Sequence, residues 1–249
     1  MDMTAGAMKF LIEQGIKPEE RKITSKDGTE YVIDSAGDAN VLRPEVFGQA
    51  REPIEINTLT GLIEYINSET DRAKDRLIVQ VVNEKKVKLQ GKLAADGSRE
   101  VLAIANAIVP SFSFGKFYDT ENMNIALQSQ FVINEHQQVL LKVIGNIAEN
   151  NISEASDDGV SQAVTIKQGV ASKVNVKVPN PVELAPYRTF LEVEQPTSKF
   201  VFRMKEGPSA AIFEADGGAW RNEAIRNIYE YLYHQLEENI KDGRIVIMA

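Results

Sequence analysis

The chain has no cysteine, two histidines and a single tryptophan among its 249 residues. Without cysteine there is no disulfide, no thiolate nucleophile and no cysteine metal site, which fits a reducing cytoplasm. His136 and His234 both fall in helix-forming sequence without a second ligand at i+4, so each reads as an ordinary surface or half-buried side chain. No run approaches the ~18 to 20 apolar residues that a membrane-spanning helix needs. The opening MDMTAGAMKFLIEQG has neither the basic nor the apolar region of a secretory leader. The expectation is a cytoplasmic protein with no membrane contact. Nothing matches GxxxxGK[ST], GxGxxG or GxSxG, which sets aside the common nucleotide fingerprints and the serine-hydrolase elbow. The net charge of −8 argues against general affinity for a nucleic-acid backbone, where binding comes from clustered cations releasing counterions.

Hydrophobic residues make up 43% and charged residues 26%, which is globular usage in a chain long enough to bury a sizeable core. Local periodicity gives the elements. A short helix is expected over 4–14 and a β-hairpin over 21–35, turning at Lys26-Asp27-Gly28. The stretch from Asp34 to Pro53 reads as a long loop. Ile54–Asn57 is a short strand, and Thr58 or Thr60 can cap a helix carrying Leu59, Leu62, Ile63 and Ile66. Leu77–Val82 is almost wholly apolar, as a strand buried on both faces would be. It is followed by an alternating strand with Val87, Leu89 and Leu93, then an apolar strand over 101–109.

A central helix is expected from Asp119 or Thr120 to about Phe131, and a second follows the Asn134/Gln137 capping spacing. The polar, acidic stretch from Asn150 to Gly159 is the expected exposed connection. Beyond it, strands are expected over 163–168, 173–178, 189–193, 199–205 and 210–215, with Pro179, Pro181 and Pro186 breaking the ladder between them. A long helix over 220–239 and a closing strand over 244–248 complete the chain. The strand–helix–strand–strand–strand order indicates an α+β fold with mixed or antiparallel sheets and packed helices. Two lobes are expected, an N-terminal α+β lobe over 1–150 and a β-rich lobe over 160–249, with one continuous domain as the alternative.

Three constellations bear on chemistry. Glu214 and Asp216 close a strand with two carboxylates on one side, an arrangement suited to magnesium and hence to a metal-dependent hydrolase. The plainer reading makes Asp216 and Gly217-Gly218 a strand-to-helix turn with Asp216 as cap. The second constellation is cationic and aromatic: Tyr187, Arg188, Arg203, Lys205, Trp220 and Arg221 would form a ligand-binding pocket for an anionic or aromatic molecule. Arginine forks suit phosphate and aromatic faces suit bases. The plainer reading gives Arg203 and Lys205 the solvated face of a half-buried strand. Third, Tyr229 and Tyr233 lie one turn apart, largely off the apolar face of the last helix. They are placed for a subunit interface or for burial within the chain. No catalytic residue and no cofactor is assigned.

The runs SDDGVSQAVTIKQGVA (Ser156–Ala171), VPNPVELAPYRTFLEVEQP (Val178–Pro196) and FRMKEGPSAAIFEADGGAWRNEA (Phe202–Ala224), with NTLTGLIEYI (Asn57–Ile66), resemble a family of bacteriophage and prophage proteins. This is the YfdQ-like family, whose function is unknown. The resemblance covers most of the chain and carries no assigned chemistry. It implies a phage or prophage origin, a place in the host-cell cytoplasm, and a setting near early-region recombination and replication functions. The expectation is a non-enzymatic accessory protein that binds a host or phage component, with counter-defence by capture of a nucleotide signal or inhibition of a defence protein as one form. Its partners would be an anionic small molecule or a host or phage protein, and a homo-oligomer is expected. The alternatives are an accessory factor in phage DNA recombination or replication, and the metal-dependent hydrolase.

Overall fold

The computed structural model describes residues 21–26, 30–34, 36–41, 50–68, 76–94, 97–149, 154–157, 162–168, 172–205 and 209–249. The helix expected over 4–14 lies outside them. The chain divides into two compact units, Met1–Gln49 and Ala50–Ala249.

In the first unit, β1 (Lys22–Thr24), β2 (Glu30–Ile33) and β3 (Ala39–Val41) form an antiparallel sheet in chain order. The hairpin β1–β2 is the one read from the sequence. β3 falls inside the stretch read as a loop. Its three exposed residues are too few to show a period, and it is positioned by turn chemistry: the Asp34 carboxylate accepts from the backbone N–H of Ala36 and Asp38 and from Asn40 Nδ2.

The second unit opens with β4 (Ile54–Ile56) and α1 (Leu59–Ser68). β5 (Leu77–Asn83), β6 (Lys86–Leu93) and β7 (Arg99–Asn106) follow as an antiparallel meander. Next come β8 (Tyr118–Asp119), α2 (Thr120–Gln130) and α3 (Glu135–Glu149). The chain continues through β9 (Glu154–Asp157), β10 (Gln162–Gln168) and β11 (Ser172–Val178). It then passes through β12 (Val182–Leu184), β13 (Ser198–Lys205) and β14 (Ser209–Glu214). The end is α4 (Trp220–Gln235), α5 (Glu237–Lys241) and β15 (Ile245–Met248). The sheets run β15-β5-β6-β7-β4, β12-β13-β14-β8 and β11-β10-β9. Among the described residues only the β15–β5 and β4–β7 pairings are parallel. The fold class is therefore α+β with mixed and antiparallel sheets.

The five-stranded sheet and α1, α4 and the segment around Phe190 enclose one core. The four-stranded sheet with α2 and α3 encloses a second. Elements from both sides of the stretch 150–160 share these structures. β15 pairs with β5, and α2 and α3 pack with residues of β12, β13 and β14. The stretch expected to be an exposed connection contributes β9, which pairs with β10.

Other departures have local causes. β5 buries one face rather than two: Leu77, Val79 and Val81 are inside while Val82 is 40% exposed. Register shifts in the β6–β7 pairing carry Leu93 out to 57% exposure. β12 fits between Pro181 and Pro186 because it is an edge strand of its sheet. Ile125 of α2 is 55% exposed although Met123, Ala126 and Leu127 beside it in the sequence are buried. The capping readings correspond to real contacts. Asn122 N–H donates to Asp119 Oδ1 at 2.8 Å, Gln137 N–H to Asn134 Oδ1 at 2.8 Å, and Gly61 N–H to Thr58 Oγ1 at 3.1 Å.

Candidate functional site

Residues 189–193, expected as a strand, form a turn built around one buried side chain. Gln195 Oε1 accepts from the backbone N–H of Arg188 at 2.9 Å and of Thr189 at 3.2 Å, while its Nε2 donates to the carbonyls of Phe190 and Val193. A buried amide thus supplies the donors and acceptors that a sheet neighbour would have given. The turn is anchored on both sides. Phe190 and Val193 enter the core of the five-stranded sheet. Tyr187 N–H donates to the carbonyl of Gln130 and Val132 N–H to that of Ala185, tying the preceding residues to the end of α2. Arg188 is held between these anchors.

The Arg188 side chain is 7% exposed, and both terminal nitrogens of its guanidinium are engaged. Nη1 pairs with Glu214 Oε1 at 3.0 Å, and Nη2 donates to Ser198 Oγ. The guanidinium carbon lies 3.9 Å from the centre of the Trp220 ring, with Phe200 at 5.6 Å and Phe114 at 5.9 Å. Such stacking is worth most where water is excluded. Burial pulls this guanidinium down from its ordinary value to about 10; Glu214 and Asp216 oppose that and Arg221 adds to it. It remains charged at neutral pH.

Trp220 begins α4 behind a turn. Asp216 Oδ1 accepts from Gly218 N–H at 3.0 Å and Oδ2 from Trp220 N–H at 3.3 Å. The turn reading of Asp216 describes this geometry, with the Gly218 N–H taken by the carboxylate. Gly218 has φ +83°, and a Cβ there would lie 2.6 Å from Arg221 Nη1, so glycine lets the Arg221 side chain fold back. Arg221 lies over the Trp220 ring at 4.8 Å and pairs loosely, at 3.9 Å, with Glu84 in the β5–β6 turn. Its side chain is 51% exposed.

These groups surround a cavity of about 470 Å³, within the range of small-molecule sites. One wall is aromatic, from Phe112, Phe114, Tyr187 and Trp220, and Phe112 and Phe114 continue by ring contacts to Phe131 and Phe200 of the core. The charged lining is Lys85, Arg188 and Arg221 against Glu84 and Glu214, a small cationic excess. Five buried side-chain atoms of the described residues have no hydrogen-bond partner. Three of them, Arg188 Nε, Trp220 Nε1 and Gln130 Oε1, belong to side chains lining this cavity. Each orphaned buried group costs about 1–3 kcal/mol, and natural proteins tolerate few without a reason.

Of the six residues expected to form a pocket, Tyr187, Arg188, Trp220 and Arg221 line this one and Arg203 and Lys205 do not. Arg203 and Lys205 alternate with Phe200 and Phe202 on β13, and those rings face the core that supports Arg188. Arg203 Nη1 donates to the carbonyl of Phe202 and Lys205 Nζ sits 3.9 Å over the Phe117 ring. Glu214 and Asp216, expected as magnesium ligands in one reading, are engaged by Arg188 and by the helix turn. Among the described residues no group of three or more metal-ligating side chains is found.

The sequence reading did not single out Glu84, Lys85, Phe112, Phe114 or Gln130. The available signal was the SFSFGKFY run directly after Pro110, with four aromatics in eight residues and Phe112 and Phe114 at alternate positions. His136 Nδ1 accepts from the backbone N–H of Glu183 at 2.8 Å. Tyr229 and Tyr233 stack with ring centres 6.0 Å apart, Tyr233 being 42% exposed. Among the described residues no helix is long and apolar enough to cross a membrane. No protein-family model, curated protein or solved structure matches the chain.

Proposed function

We propose that this protein is a non-enzymatic capture protein of phage or prophage origin, taking a small anionic ligand with a flat aromatic part, a nucleotide foremost, into the cavity between Tyr187 and Trp220. Counter-defence by removal of a nucleotide signal is the biological form this would take in the host-cell cytoplasm. The observation carrying the reading is the concentration of orphaned buried polar atoms in three side chains around one aromatic-walled cavity. Such arrangements weaken the fold locally and are retained where a ligand benefits. The phage setting rests on the family resemblance of the sequence runs given above.

The test is a thermal-shift and calorimetric screen of mononucleotides, linear dinucleotides and cyclic dinucleotides. A ligand at a hundredfold its Kd adds about 2.7 kcal/mol to the unfolding free energy, a shift that is readily seen. The expected outcome is a rise in Tm with at least one class, abolished in Trp220→Leu, while Tyr233→Ser, far from the cavity lining, retains it. Absence of any shift across the three classes, with no small molecule retained in native mass spectrometry of gently purified protein, would overturn the reading. Salt-sensitive binding to single-stranded oligonucleotides in place of nucleotides would instead favour an accessory role in phage DNA recombination or replication.

A further inference from the structure

Resting on the capture reading, we infer that the ligand's anionic group is held at the rim of the cavity by Lys85 and Arg221, with Glu84 as a built-in competitor, and that Arg188 holds no anion but supports the aromatic wall. An arginine binds phosphate by presenting unoccupied N–H groups as a fork. Arg188 presents no open fork: Nη1 and Nη2 each give an N–H to Glu214 and Ser198, the unpartnered Nε is fully buried, and the ring of Trp220 lies under the guanidinium. A phosphate brought to it would also meet the carboxylate of Glu214.

Arg221 differs on each count. Its side chain is half exposed and its ion pair, at 3.9 Å, is at the outer limit of contact. Lys85 is exposed beside it in the β5–β6 turn, with no ion pair shown among the described residues. An anion at the rim takes Arg221 from Glu84 and gains Lys85 as well. The flat part of the ligand then lies inward against Tyr187 and Trp220, and the cavity reads an aromatic group inside and a charge outside.

The probes are the four ribonucleoside 5′-monophosphates and their parent nucleosides, titrated calorimetrically into the full chain and its variants, with Tm confirming that each variant is folded. The best-binding monophosphate should bind at least about tenfold tighter than its nucleoside, as one charge-assisted contact provides. Arg221→Gln and Lys85→Gln should each remove most of that preference while leaving nucleoside affinity unchanged. Glu84→Gln should tighten monophosphate binding several-fold, because the competitor is gone, and Glu214→Gln should not. A gain in Glu214→Gln without one in Glu84→Gln would place the anion on Arg188 and overturn the assignment. Nucleosides binding as tightly as monophosphates would overturn it too, leaving the capture reading intact. Failure of every probe to bind the wild-type chain would remove the rim site, and the dinucleotide arms of the earlier screen would then decide the broader reading.

Discussion

The core under the five-stranded sheet is aliphatic apart from Phe190, while that under the four-stranded sheet is built around Phe131, Phe200 and Phe202. The polar content differs more sharply. None of the orphaned buried atoms among the described residues lies in α1 or in β5–β7; all five belong to Gln130, Gln137, Asn180, Arg188 and Trp220. α1 and β5–β7 meet the ordinary rule that buried polar groups are paired, and the margin where the Arg188 turn and the start of α4 meet the aromatic core departs from it. Partly satisfied buried polar groups lower stability, since their desolvation is not returned. The aliphatic core is therefore the stabilising scaffold, and the aromatic one trades stability for a shaped, polar-edged cavity at its margin.

The largest effect that tests this division comes from opening each core once. Phe200→Ala should cost about 4 kcal/mol and Leu89→Ala about 3 kcal/mol in urea unfolding. Both residues are buried, at 0% and 1% exposure. Their effect on the cavity should differ. Phe200 backs Arg188 at 5.6 Å and Phe114 at 5.3 Å, so its loss should abolish nucleotide binding in protein that is still folded. Leu89→Ala, measured well below its own Tm, should bind as the wild type does. Equal loss of binding in both would dissolve the distinction between scaffold and site.

The same contrast explains what could be read beforehand. α1 was legible because Leu59, Leu62, Ile63 and Ile66 repeat at helical spacing and all four are buried. β6 was legible from the alternation through Val87 and Leu89. β3, β9 and β12 were not, since three or four residues at a sheet edge carry too little period to be seen. The turn at 189–193 has a strand's composition, and only the tertiary placement of Gln195 makes it something else. For the site, Tyr187-Arg188 and Trp220-Arg221 were recognisable as chemistry, and their meeting depended on how α4 follows β14. Arg203 and Lys205 carry the same chemistry on the wrong face of β13. Local sequence marked the groups, and pleat and connectivity decided which of them share a cavity.

A smaller effect sharpens the comparison at its boundary. Arg188 and Glu214 are coupled across the aromatic margin, but Glu214 is 36% exposed and water takes up part of its charge. A double-mutant cycle with Arg188→Met and Glu214→Gln should give a coupling of about 1–2 kcal/mol. The double variant should be no less stable than Arg188→Met alone, because a methionine over Trp220 keeps the packing and leaves no carboxylate without its partner. A coupling near zero would mean that the guanidinium is held by the rings and not by the ion pair.

The smallest effect lies where α2 enters the aromatic core. Asp119 accepts from Asn122 N–H at 2.8 Å and from its side-chain amide. The backbone hydrogen bond from Asn122, followed by that from its side chain, holds the Asp119 carboxyl below the usual carboxylate range. A carboxyl with a folded-state pKa below its unfolded value contributes stability that is whole above the unfolded value and is lost as pH falls through the folded one. Asp119→Ala should therefore lower Tm modestly at neutral pH, and the gap from wild type should close as the pH drops below the carboxylate range. Asp119→Asn, which keeps a capping oxygen without a charge, should lie between the two at neutral pH and show no such closing. An acid-independent gap for Asp119→Ala would assign its effect to helix propensity. α2 would then be held by Met123 and Leu127 in the aromatic core, with no contribution from the charge at its start.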